Sequence, residues 1–533
     1  MYNNYTPLQQ RQLALQEYSN TQSTYLLVCA PARSTALKAT LTDQLHRKFR
    51  LVDRLDGELT ASVDGVLLAA EDVELMSTAL MYFAKALQDG ADYAVCNAVF
   101  GFGGATALYQ SQPLQAQNRC AVVSRALLER CRAAAHDPEN VPELLALAAQ
   151  LCTKPALIPQ ALLHYERGIC AEDAFSAHGK RAFIMSHVLD MTGAPIVLVS
   201  AVPVLRSMGY EVLVLGPSDG GSLHLFLDAG ASVITRSSCR NVSDAWGMAL
   251  CADFVIVNTV VMARAVRALS GTAVPVLWWL HDAFAGYPHI AHQIPTQLGE
   301  NVRVYSVGSH AANAMHAVRP EFEIRPLIYG LPDYAAENFV RTDLGYNRGR
   351  PLFATVGSFE RRKGHDIFCK AIRLLPPEVR EKASFLFVGQ AADKEMMDSV
   401  RTLTADYPEN VYYCKRLTRD EIKSLMEQCT GLVCASRDDP MPTFVTEGLI
   451  FGKPSIVSEH TGTAGLISEG RNGFVYHDDD PQQLAVLLEH AIEHPEELAS
   501  MRTECRKMYE QYYSKEAFEQ TLRTAVEDLT EKK

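Results

Sequence analysis

No Cys-x-x-Cys occurs in the 533-residue chain, and its 13 cysteines are scattered singly, in an odd total. That pattern fits reduced thiols packed as small hydrophobes, and it argues against a disulfide framework or a zinc site. His-Glu-x-x-His is missing as well, so the sequence carries no signal for a catalytic metal. Basic charge is not in excess: 50 Lys and Arg stand against 62 Asp and Glu, for a net charge of -12. The chain therefore lacks the face that displaces counterions from nucleic acid. No apolar run approaches the ~20 residues that span a bilayer; Ala194 to Leu205 is among the longest and reads as a buried helix. The start, Met1-Tyr2-Asn3-Asn4-Tyr5-Thr6, lacks the charged-then-apolar order of a secretory signal. A cytoplasmic protein is expected. Peripheral contact with the inner face of a membrane stays open, although no strongly basic amphipathic helix is there to drive it.

Charged residues make up 21% of the chain and hydrophobic ones 48%, which excludes disordered, collagenous and low-complexity classes. At ~100–200 residues per domain, the length predicts three or four compact units. From about Ala182, short apolar runs alternate with helical spacing. Phe183–Met185, Glu211–Leu215, Ser232–Thr235, Phe254–Val257 and Val274–Leu280 read as strands, with helices such as Ile196–Met208 and Val261–Leu269 between them. None alternates strictly, as expected of strands covered on both faces. The rhythm restarts after the polar stretch Arg341–Arg350, with strands predicted at Phe353–Val356, Ser384–Val388, Val411–Cys414, Gly431–Ala435 and Pro454–Val457. This order implies an α/β fold of two Rossmann-like, doubly wound domains facing a cleft at the carboxyl ends of their strands. A smaller amino-terminal α/β domain precedes them, with strands expected at Tyr25–Cys29 and Gly65–Ala70, a helix at Asp72–Gln88 and a strand at Tyr93–Phe100. The borders are set at 1–175, 176–340 and 350–512, with a last helix in 513–533 packing back towards the second domain.

The stretch Ser436 to Pro454 is the most informative. It begins where a buried strand ends; Pro442 and Thr443 start a helix, and Gly452 with Pro454 stops it. Free amides at Thr443, Phe444 and Val445 would form a phosphate site at the helix amino terminus. Asp439 precedes the turn and Glu447 lies eight positions later, so one carboxylate can meet a sugar and the other a ribose. Read singly, Asp439 is equally a helix cap and Glu447 an acid favoured by the dipole.

In this context the sequence resembles the glycosyltransferase 4 family of GT-B nucleotide-sugar transferases, over roughly Phe183 to the carboxyl terminus. The family carries Glu-x7-Glu followed by Gly-Lys-Pro; here Asp439 replaces the first Glu and Glu447 matches the second. Thr461-Gly462-Thr463-Ala464-Gly465 and Glu469–Val475 are similar to the loops that follow. Ala354–Gly364 resembles the segment opening the nucleotide domain, where Lys363 would meet the charge on a leaving diphosphate. Ser358 stands where the family has Arg, and Arg362 is the preferred stand-in. Asp190–Pro195 resembles the first glycine loop, with Gly193 facing the donor phosphates. His281, in Trp278-Trp279-Leu280-His281-Asp282, matches a histidine that contacts the transferred sugar; the alternative is a structural residue at a strand end. Val304–Gly308 and Ile328–Leu331 resemble the last strand ends of the acceptor domain, and Val411–Thr418 the base-binding strand and loop, which makes Arg416 a candidate for contact.

The resemblance implies a retaining, metal-independent hexosyltransferase with no cofactor. It would move a sugar from a UDP- or GDP-linked donor to a hydroxyl of a glycan, lipid-linked or protein acceptor in polysaccharide or glycoconjugate synthesis. Asp439, Lys363 and His281 are the expected catalytic residues. Gly193, Ser358, Arg362, Lys363, Arg416, Thr443, Phe444, Val445 and Glu447 are the expected donor contacts. The alternative is a non-catalytic GT-B-fold subunit that binds a glycan or a partner; an epimerase on the same fold is a third option. In the first third, Glu71–Leu80, Cys120–Arg125 and Leu162–Arg167 resemble a truncated GT-A family 2 glycosyltransferase, with Ala69-Ala70-Glu71-Asp72 where an Asp-x-Asp metal site is expected.

Overall fold

The computed structural model describes residues 23–530, apart from 30–34, 42–43, 45, 56–60, 71–72, 76–77, 102–105, 111–119, 166–178, 219, 237–238, 240–245 and 247. Glu71 and Asp72, where a metal motif was sought, lie outside the described residues. The chain divides into two compact units, up to Val255 and from Ile256.

In the first unit, parallel strands Leu26–Cys29, Phe49–Val52 and Gly65–Ala69 lie together. Gly65–Ala69 then runs antiparallel to Cys120–Ser124, which is antiparallel to Tyr93–Gly101. Tyr93–Gly101 also pairs antiparallel with Thr106–Gln110, and the latter with Ser232–Arg236. From there Tyr210–Gly216 and Lys180–Met185 continue in parallel. Leu26, Val28 and Leu67 enter one apolar layer with Phe83, while Leu27, Val66 and Leu68 enter another with Leu127 and Leu144. Burial on both faces explains why these strands read as unbroken apolar runs. The helix expected from Asp72 to Gln88 is shorter. Glu74–Leu75 is a strand paired with Leu163 and His164, and the helix spans Ala79–Gln88. Val73 and Leu75 are buried with Glu74 between them, a period of two that outweighs the helical spacing further on.

In the second unit, Val276–Leu280, Val302–Ser306 and Ile324–Pro326 are parallel neighbours. The first of these was expected to begin at Val274; it begins after Pro275, which has no N–H for a ladder, and the Val276 amide donates to Asn301 at 2.8 Å. A second, six-stranded sheet is wholly parallel. Its spatial order is Val411–Cys414, Ser384–Val388, Leu352–Val356, Gly431–Cys434, Ser455–Ser458, Gly473–Tyr476. Numbered along the chain this is 3-2-1-4-5-6, the doubly wound order, and the direction of winding reverses between Leu352–Val356 and Gly431–Cys434. The helix Lys515–Thr530 stacks its Phe518 ring on Trp279, with centroids 5.8 Å apart and ring planes nearly parallel. Among the described residues, no helix is long and apolar enough to cross a membrane.

Candidate functional site

Both strands at the point of reversal feed turns that carry candidate residues. After Leu352–Val356 the chain passes through Ser358 and Glu360 into a 3-10 turn, Arg361–Lys363, and then Gly364. Gly364 has φ +65°, and a Cβ there would lie 1.8 Å from the Ala435 carbonyl oxygen. Only glycine lets the turn approach the end of the neighbouring strand so closely. The Lys363 ammonium thereby reaches Asp439, Nζ to Oδ2 at 2.6 Å.

Asp439 is held from several sides. Its amide donates to the His460 carbonyl at 3.0 Å, its carbonyl accepts from Gly462 at 2.9 Å, and its Oδ1 accepts from the Met441 amide at 3.3 Å. Its side chain is 5% exposed against 21% for Lys363, so the ion pair is shielded and the lysine carries the open edge. The expected helix follows as Thr443–Ile450 with Pro442 at its cap. Val445 is not free, as had been expected: its amide donates to the Pro442 carbonyl at 3.1 Å, because the first turn is tight. The Thr443 and Phe444 amides, at the first two helical positions, have no acceptor among the described residues. Tyr329, buried, donates its hydroxyl to Thr443 Oγ1 at 3.5 Å.

Glu447 lies one turn on and is almost wholly buried. Burial pushes its acid up, opposed by the Arg419 guanidinium, which donates to Oε1 at 2.6 Å. Arg419 in turn rests 4.3 Å over the Tyr334 ring. Spacing on one helix could not reveal Arg419, which comes from the start of a different helix, Arg419–Gln428. Arg362 braces the two turns, donating to Glu360 at 2.9 Å and to the Asp438 carbonyl at 3.1 Å. Ser358 donates to the same Glu360 carboxylate at 2.9 Å, so Arg362 and Ser358 share one acid.

His281 follows the strand Val276–Leu280, its ring 4.6 Å from that of Trp279. The next residue, Asp282, accepts from the Val260 amide at 2.6 Å; burial pushes its acid up to about 6. Asp438, also missed in the sequence, accepts from His310 and from the Phe284 and Ala285 amides. Arg416 is exposed beyond the strand Val411–Cys414 and is not drawn to the acids. Gly193 begins the helix Gly193–Ser207 in the first unit, and a Cβ there would meet nothing within 4 Å.

Two family models match this arrangement in chain order. Residues 178–321 match glycosyl-transferase family 4, and residues 337–508 match glycosyl transferases group 1. Among solved structures the chain is similar to Anabaena Alr3699/HepE in complex with UDP, at 18% identity and a TM-score of 0.54, covering 66% of this chain and 100% of that one. The fold is that of the GT-B glycosyltransferases. Curated relatives include spore coat protein SA of Bacillus subtilis, 28% identical over 160 residues, 28% of this chain and 41% of that one. Another is an uncharacterized glycosyltransferase, MJ1178, of Methanocaldococcus jannaschii, 26% identical over 198 residues, 36% of this chain and 53% of that one. The chain thus spans about half the length of the curated relatives it matches. The GT-B matches begin at residue 178 and leave the amino-terminal segment unassigned.

Proposed function

We propose that the chain is a retaining glycosyltransferase that moves a hexose from a nucleoside diphosphate sugar to an acceptor hydroxyl. The observation that carries this reading is the Lys363–Asp439 pair, set where the sheet reverses and beside the two open amides of Thr443 and Phe444. A cation paired with Asp439, and two N–H groups at the start of the helix that follows Asp439 in the chain, suit a diphosphate, whose charge grows as the sugar leaves. Alr3699/HepE, solved with UDP and with UDP-glucose, supports a uridine nucleotide as the first donor to try.

In the proposed step, the bond from the anomeric carbon to the diphosphate oxygen breaks and the bond to the acceptor oxygen forms on the same face. The acceptor proton passes to the leaving phosphate oxygen, so no protein base is required. Lys363 and the amides take up the negative charge without a metal. Asp439 orients the sugar hydroxyls, His281 contacts the sugar, and Glu447 takes the ribose. Arg416 completes the donor contacts within residues 350–512 of the second unit. A glycan, lipid-linked or protein hydroxyl is the acceptor class. Asp439 and Ser358, standing where the family has Glu and Arg, are the departures that favour a non-catalytic scaffold; the Lys363–Asp439 pair at 2.6 Å supports the transferase reading instead.

A thermal-shift screen of nucleotides and nucleotide sugars, with and without EDTA, tests the reading, because a ligand bound to the folded state alone raises Tm. The expected result is a rise with UDP and one UDP-sugar that survives EDTA, followed by a product whose anomeric configuration by NMR is that of the donor. No shift with any nucleotide, or an inverted product, overturns it.

A further inference from the structure

Asp438 and its neighbour Asp439 serve opposite sides of one turn. The Asp439 carboxylate is bound to Lys363; the Asp438 carboxylate, among the described residues, accepts from residues that follow the strand Val276–Leu280 or begin the helix Ser309–His316. Its Oδ1 accepts from His310 Nε2 at 2.7 Å and from the Phe284 amide at 3.1 Å, and its Oδ2 from the Ala285 amide at 2.9 Å. The side chains of His310 and Asp438 are 7% and 13% exposed, so these bonds are largely shielded from water. The Phe284 ring stands edge-on to His310 at 5.0 Å.

The Phe284–Gly286 segment is a 3-10 turn whose own cap residue, Ala283, offers no side-chain acceptor. The orphan amides at its start are satisfied from elsewhere in the chain, by Asp438. That turn begins three residues after His281. We propose that Asp438 is a positioning residue, which fixes the His281–Gly286 loop onto the same turn that presents Asp439 to Lys363. The proposal rests on the transfer reading above for its kinetic consequence, though not for its geometry. Asparagine cannot replace the carboxylate, because one of its two polar atoms is a donor and would face an N–H. Three N–H groups on one carboxylate are charge-assisted bonds, about twice as strong as neutral ones; asparagine breaks at least one and makes the others neutral, which loosens the loop.

The experiment compares wild type, Asp438→Asn and His310→Gln in the full chain, by amide hydrogen exchange at Phe284 and Ala285, UDP affinity, and kcat against donor KM. In Asp438→Asn, exchange at the two amides should quicken at least tenfold and kcat should fall at least tenfold. UDP affinity and donor KM should stay within threefold, a split that a general loss of structure would not give. His310→Gln keeps both amide bonds and should move the same quantities in the same direction but less, which covers failure of the first variant to fold. Unchanged exchange, unchanged kcat, or kcat and UDP affinity falling together overturns the proposal. If exchange quickens while wild type binds UDP but transfers no sugar from any donor, the transfer reading fails and the hold of Asp438 on the loop stands.

Discussion

Arg419 donates to Glu447 Oε1 at 2.6 Å while lying 4.3 Å over the face of Tyr334. The acid proposed to meet a ribose is therefore already half engaged. One oxygen belongs to a guanidinium, and in the proposed reading the other meets the ribose hydroxyl. The pair opposes burial, which pushes the Glu447 acid up.

Replacing Arg419 by Ala should cost about 1–2 kcal/mol at pH 7, less than for a fully buried pair because the arginine side chain is 50% exposed. The sign with pH follows from Glu447. Without its cation the folded-state pKa rises further above the unfolded one, so stability falls as pH climbs from the ordinary carboxylate range towards neutrality. Urea melts at pH 5 and pH 7 should show the larger deficit at pH 7, and adding Glu447→Gln should shrink it. A deficit equal at both pH values would mean that the arginine acts through packing on Tyr334 alone.

Lys363 is paired with Asp439 and is 21% exposed, and in the proposed transfer it meets the charge that grows on the leaving diphosphate. Lys363→Ala should lower kcat by 10²–10³, the range for removing one group that stabilises a developing oxyanion. Lys363→Arg should recover only part, since a planar fork does not replace a point charge against Asp439. Steady-state kinetics with the donor found by screening gives the answer. Turnover within threefold of wild type in the alanine variant would remove Lys363 from the chemistry.

Much of the second unit could be read from the chain because its strands are short, apolar and buried on both faces. Ser384–Val388 and Val411–Cys414 fall as expected, and others differ by a residue or two at their ends. Thr443 marked a helix start because Pro442 can cap but not continue one. What stayed hidden depends on distance along the chain. Asp438 and His310 are 128 residues apart, Arg419 and Glu447 are 28, and no periodicity joins such pairs. Val445 was misjudged because only geometry shows whether a first turn is tight enough to use its amide. Glu74–Leu75 was misread as helix because its pairing partner, Leu163–His164, is nearly ninety residues on.

Gly364 is the residue on which the approach of the two turns depends. A side chain there must adopt φ +65° and would put Cβ 1.8 Å from a backbone oxygen, a contact that no rotamer can relieve. Gly364→Ala should lose at least about 2 kcal/mol in a urea melt, beyond the strain of the left-handed conformation alone. Because relief moves Lys363 away from Asp439, turnover should fall by more than the lost stability explains at temperatures where the variant is folded. A variant as stable and active as wild type would show that the turn has room which the structure denies.

Asp282 gives a prediction with a defined pH window. Its acid is pushed up to about 6 by burial, against the bonds from the backbone of Val260 and His281. The unfolded value is about 3.9, so between those limits the folded chain binds more protons than the unfolded one. Stability contributed by this residue is then highest below about pH 4, falls as pH rises through the window, and is flat above about pH 6. Asp282→Asn keeps an oxygen for the Val260 amide and removes the titration. The difference in unfolding free energy, variant minus wild type, should rise by about 1–2 kcal/mol from pH 4 to pH 6.5 and then level off, the partial exposure of the loop limiting the gain. Paired denaturation curves at half-unit steps measure it. Parallel curves would mean that Asp282 ionises with an ordinary pKa and that its bond to Val260 offsets its burial.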